Sequence, residues 1–173
     1  MEYVVDLLKL LLPAGAVLYG MYLVVLSFLS KEREKLLIDL KSQNTQLTLP
    51  LRIQAAERLC LLLERITPNS LVRRNNPGEY SAAEFHQVLV NEVREEFNHN
   101  LSQQVYFSDE AWEAVRRAVE DTVTTINMAR QGVDSESSGV ELAKSIFTQS
   151  LERKNDAIAF ALKQIKSEVS HYF

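Results

Sequence analysis

Two E-x-x-H motifs, Glu96-Phe-Asn-His99 and Glu168-Val-Ser-His171, are the residues whose types and spacing could do chemistry in this sequence. Positions three apart share a helix face, so each motif could aim a carboxylate and an imidazole at one point. Di-iron four-helix bundles use such a pair of motifs, with one further glutamate from each of two other helices. Glu64, ahead of the first motif, and Glu120, between the two, stand in the required order. Two features weigh against a metal centre. Glu64 points away from the apolar stripe of its own segment, and His171 is third from the end of the chain, where helices fray. No cofactor is therefore expected, and the metal-binding bundle stands as the alternative reading.

The same segments suggest a structural use for their charges. At 100° per residue, Glu92, Glu96 and Asn100 fall in the sector of Phe85, Leu89 and Val93. Arg58 and Arg65 lie beside leucines, and Arg116 lies between Trp112 and Val119. An unpaired ion facing a core costs several kcal/mol, so these residues predict a buried arginine–glutamate network, with Glu96 paired to Arg58 or Arg116. The remaining reactive groups assemble no catalytic set. Cys60 sits among leucines as a half-buried small hydrophobe, His86 reads as a surface residue, and no serine lies in a G-x-S-x-G elbow.

What must position these groups is limited by composition. A chain of 173 residues holds one domain and an appendage. Its formal charge of -4 disfavours nucleic acid as a partner, and 46% hydrophobic residues exclude a disordered polyelectrolyte. A single cysteine rules out an internal disulfide or a multi-thiolate zinc site. Five glycines and four prolines are too few for a many-turned β-sandwich or a phosphate loop.

From Leu10 to Ser30 the chain carries no charge, which is the length of helix that crosses a hydrocarbon core of about 30 Å. Glu2 and Asp6 at the start do not resemble the basic lead of a cleaved signal, so an uncleaved anchor is expected. Lys31, Arg33, Lys35 and Lys41 follow the span and only Lys9 precedes it, which predicts a cytoplasmic C-terminal part. Ala16 and Gly20 make a small-xxx-small pair, a weak signal for close approach of another membrane helix.

The rest reads as helices: a stalk over 31–48, a break at Pro50, and a second helix over 51–66 with Leu51, Ala55, Leu59, Leu62 and Ile66 on one stripe. Thr67-Pro68 starts a short turn, and Arg73 to Tyr80 is the clearest loop. Ser81 and Glu84 form a capping box for a third helix running to about Val105. Ser108 caps a fourth, whose apolar face is Trp112, Val115, Val119, Val123 and Ile126, closed by a left-handed Gly132. Two further helices cover 140–151 and 156–169. No segment alternates with period two, so the fold class is all-α: an anchor over 1–30, a stalk over 31–48 and a bundle of about four to six helices over 49–173.

The stretches LPLRIQAAERLCLLLERITP and EFNHNLSQQVYFSDEAWEAVRRAVEDTVTTIN resemble an uncharacterised family of Bacteroidota proteins with one N-terminal membrane helix and a helical cytoplasmic region. The resemblance is best over Leu49 to Asn127 and implies architecture and compartment, with no activity or site residue attached. The expectation is thus a non-enzymatic accessory or scaffolding subunit of the bacterial inner membrane. Its partners would be the lipid bilayer and other membrane-protein subunits or itself.

Overall fold

The computed structural model describes residues 2–152 and 156–170, without the side chains of 2, 4–14 and 40–45. It is all-α, with no strand among the described residues. The helices are α1 (Glu2–Arg65), α2 (Pro68–Arg74), α3 (Ala82–Asn100), α4 (Asp109–Gln131), α5 (Gly139–Glu152) and α6 (Ala157–Ser170). Pro77–Glu79 and Leu101–Tyr106 are 3-10 turns. The chain divides into two compact units, Met1–Thr48 and Leu49–Phe173.

The expected break at Pro50 does not occur, because α1 remains helical through it. Proline's φ near −65° is itself helical; what is lost is the one hydrogen bond its missing N–H would give to residue 46. In the first unit every described side chain from Ala16 to Ser30 is exposed, Gly20 alone being half-covered. Gly15–Asp39 is the one stretch among the described residues long and apolar enough to cross a membrane.

The second unit is a bundle in which α4 packs against α3, α5 and α6, and α3 also packs against α5. Its core is filled by Leu59, Leu62, Leu63 and Ile66 from the end of α1, Leu71 from α2, and Phe85, Leu89 and Val93 from α3. Val115 and Ile126 of α4, Leu142 and Ile146 of α5 and Ile165 of α6 complete it. Leu51, expected on the α1 stripe, is 46% exposed.

The buried face of α4 is rotated from the expected one. It is built on Ala111, Ala114, Ala118, Thr122, Thr125 and Ala129 with Val115, Val119 and Ile126, which leaves Trp112 and Val123 at its margin. Small side chains let helices approach closely, and α6 meets this face with Ala161 and α5 with Ala143.

Local chemistry sets most helix ends. The Ser81 hydroxyl accepts from the Glu84 N–H at 3.3 Å, and the Glu84 carboxylate accepts from the Ser81 N–H at 2.9 Å, completing the capping box. The Ser108 hydroxyl accepts from the Ala111 N–H at 3.3 Å. Helix α3 stops at Asn100, short of the expected Val105, and the Asn100 side-chain amide donates to the Glu96 carbonyl at 2.9 Å. That bond satisfies a terminal carbonyl which a longer helix would have used, and the chain tightens into the Leu101–Tyr106 turn. Gly132 is not left-handed, with φ −90° and ψ 2°. The end of α4 is closed instead by the Arg130 guanidinium, which donates to the Val133 carbonyl at 2.5 Å and to the Ser135 hydroxyl at 2.9 Å.

The segment between α4 and α5 docks on the start of α3. Ala82 N–H donates to the Ser137 carbonyl at 2.7 Å and Gly139 N–H to the Tyr80 carbonyl at 2.8 Å.

Candidate functional site

The polar residues of α3 lie at the rim of the core. The buried sector of this helix is centred past Leu89, toward Val90, with Phe97 partly covered, so Glu92 and Glu96 stand at its edge and their carboxylates extend outward. There Glu96 accepts from Arg65 Nε at 2.9 Å, with the Glu96 side chain 16% and Arg65 53% exposed. Glu92 accepts from Arg74 at 2.8 Å, both partners being about one-third exposed. With Glu95 and His99, Arg65, Glu92 and Glu96 line an open polar hollow of about 380 Å³. These are two surface-edge ion pairs tying α3 to the end of α1 and to α2, in place of one buried network.

Two arginines of the expected network are elsewhere. Arg58 is exposed and bonds nothing among the described residues. Arg116 is 52% exposed and pairs within α4, with Glu113 at 2.9 Å and Glu120 at 3.8 Å. The first of these pairs, together with Arg117, holds the Glu113 carboxyl below its ordinary range. Both arginines fall outside the buried sectors of their helices, because those sectors are centred on alanines as well as on the bulky residues. Asn100 is buried, with its amide spent on the end of α3.

The two E-x-x-H motifs are not assembled into one centre. Glu168 accepts from the Ser108 N–H at 2.9 Å and from the Ser108 hydroxyl at 2.8 Å, pinning α6 to the first turn of α4. A carboxylate there also meets the positive end of the α4 dipole. Glu96 is neutralised by Arg65, Glu64 and Glu120 are exposed, and His171 lies outside the described residues. Among the described residues no three of His, Cys, Asp and Glu are grouped to hold a metal ion.

Other reactive groups are similarly engaged. His86 Nε2 lies 2.7 Å from the Asn127 side-chain oxygen. Burial pushes the half-buried Cys60 thiol up from its ordinary value, with Lys166 partly opposing. Trp112 stacks on Phe97 at 5.6 Å between ring centroids and 21° between planes. A hollow of about 550 Å³ is lined in part by Asp121, Thr122, Thr125 and Asp156. The Thr122 and Thr125 hydroxyls donate to carbonyls of their own helix, and Asp156 accepts from the Ala159 N–H at 2.9 Å.

A third hollow, of about 430 Å³, lies between residues 51–58 of α1 and the Leu101–Tyr106 turn. It contains Arg58 and the buried Gln103. Gln103 was hidden from sequence reasoning because the segment reads as the last turn of α3, where a polar Ser102-Gln103-Gln104 run looks solvated.

Leu10 lies where side chains are not described, and Ala16 and Ser30 are exposed on α1, with open space beside Gly20. No curated protein and no solved structure matches the chain. The match that does cover it runs over residues 2–172, nearly its whole length and both units, and by it the chain belongs to the family of unknown function DUF7935.

Proposed function

We propose that this protein is a non-enzymatic, single-pass accessory or scaffolding subunit of a bacterial inner-membrane assembly, with its helical domain in the cytoplasm. The observation that carries the reading is the run from Ala16 to Ser30, apolar on all sides and exposed within its own unit. Leaving roughly a dozen large apolar side chains in water is costly at about 25 cal/mol per Å², and a bilayer removes that cost. Lys31, Arg33 and Lys35 after the run support the orientation. In the helical domain, Glu92 and Glu96 are spent on guanidinium groups and Glu168 on the start of α4.

Three measurements test this reading. A reporter that is active only in the periplasm, fused after Phe173, should stay silent. Purification in mild detergent from the native membrane should bring down stoichiometric protein subunits. An active reporter reverses the topology. Stoichiometric iron or manganese in protein purified without chelator or affinity tag replaces the scaffold with a metalloprotein.

A further inference from the structure

The groove between α1 and the Leu101–Tyr106 turn holds a cation and an amide oxygen that are unspent among the described residues. Arg58 has no partner among the described residues, in a chain whose net charge is -4. Gln103 is 7% exposed; its side-chain N–H donates to the Ser102 hydroxyl at 3.2 Å, while its amide oxygen accepts nothing among the described residues. No fully buried side-chain oxygen or nitrogen among the described residues lacks a partner, so this oxygen keeps access to solvent, on a residue that lines the groove. Leu51, Ala55 and Val105, the last 74% exposed, give the groove an apolar part beside Gln54, Ser102 and Tyr106.

A cation, an unused hydrogen-bond acceptor and neighbouring apolar side chains together select a ligand. A guanidinium takes a carboxylate as a two-pronged fork. An amide oxygen requires a donor, and leaving it unmatched beneath a ligand costs about 1 to 3 kcal/mol. A sulfate or a phosphodiester offers only acceptors and would set oxygen against oxygen at Gln103, and a phosphate with a hydroxyl to donate leaves the apolar side chains unused. A peptide chain end carries all three complements within one residue: a carboxylate, an amide N–H and a side chain.

We propose that this groove binds the C-terminal residue of a partner polypeptide. Arg58 takes the carboxylate, the Gln103 oxygen takes the amide N–H, and Leu51, Ala55 and Val105 hold an apolar side chain. The proposal rests on the reading of the helical domain as a binding platform and is independent of the anchor.

The test is an NMR titration of the full-length protein in mild detergent with N-acetyl-leucine. The readouts are the Gln103 side-chain amide and the signals of Ala55 and Val105. Saturable shifts at all three are expected. Binding should weaken about tenfold or more, the worth of roughly 1.4 kcal/mol, when N-acetyl-leucinamide replaces the acid or when Arg58→Gln removes the charge. Arg58 is exposed and bonds nothing among the described residues, so that variant keeps its fold, which the unmoved remainder of the spectrum verifies. Absence of saturable shifts, equal binding of the amide, or tighter binding of inorganic phosphate than of N-acetyl-leucine each overturns the proposal. A protein that still brings down subunits but ignores N-acetyl-leucine keeps its accessory role and loses this groove.

Discussion

Replacing Gly139 with alanine tests how the loop after α4 locks onto the start of α3. A Cβ at this position would lie 2.5 Å from the Pro77 carbonyl oxygen, 3.1 Å from that of Tyr80 and 3.2 Å from Phe85 Cβ. Even attractive C–H···O contacts sit at about 3.3 to 3.6 Å, so the segments must part by roughly 0.8 Å. None of the three atoms is the tip of a flexible side chain, so the movement falls on backbone. It stretches the Gly139 to Tyr80 bond, now 2.8 Å, and the neighbouring Ala82 to Ser137 bond, now 2.7 Å. Overpacking costs about 1 to 3 kcal/mol and each weakened hydrogen bond about 0.5 to 1.5 kcal/mol. Alanine's helix preference returns at most about 1 kcal/mol. The expected net loss is about 2 kcal/mol, or a fall in Tm of roughly 8 °C. Trp112, the single tryptophan, reports unfolding of the helical domain by fluorescence in urea without a signal from the N-terminal unit. Gly132→Ala is the control: its Cβ meets nothing nearer than the Ala129 carbonyl at 3.9 Å, so its stability should change by no more than about 0.5 kcal/mol. If Gly139→Ala unfolds at the same urea concentration as the parent, the close packing of Gly139 against Pro77, Tyr80 and Phe85 is wrong.

Trp112→Ala should cost about 2 to 3 kcal/mol, below the range for a fully buried aromatic, because the residue is only partly buried. A double-mutant cycle with Phe97→Leu should recover about 0.5 to 1.5 kcal/mol of ring coupling, and additive losses would refute the stack. Glu96→Gln should cost roughly 0.5 to 1 kcal/mol and less in high salt, since Arg65 keeps its access to water. A loss above about 3 kcal/mol would restore the buried network. The Ser81 backbone N–H, then its hydroxyl, holds the Glu84 carboxyl below its ordinary 4.5. Folding therefore favours the ionised form, and that contribution is present above pH 4.5 and lost as pH falls through the depressed value. Ser81→Ala should move the Glu84 midpoint, followed by carboxyl NMR, upward; an unmoved midpoint removes Ser81 as the cause.

Features settled by neighbours along the chain were legible in the residues alone. The capping box at Ser81, the serine cap at Ser108, the charge-free run before Lys31 and the lack of period-two alternation each depend on spacings of a few residues. Together they define an all-α protein with an apolar N-terminal helix. What the spacings could not carry is which sector of each helix is covered, because that is decided by what packs against it. Bulky residues drew the expected face of α4 toward Trp112, whereas close approach of α5 and α6 put alanines and threonines at its centre. The same rotation moved Arg116 to the surface and left the α3 glutamates at a rim where Arg65 and Arg74 reach them. Glu168 found Ser108 across 60 residues of sequence, and Gln103 was buried only because α3 ended early and its turn folded beside α1. A helix offers several neighbouring sectors of similar hydrophobicity, and only the area excluded from water by the assembled partners selects one of them.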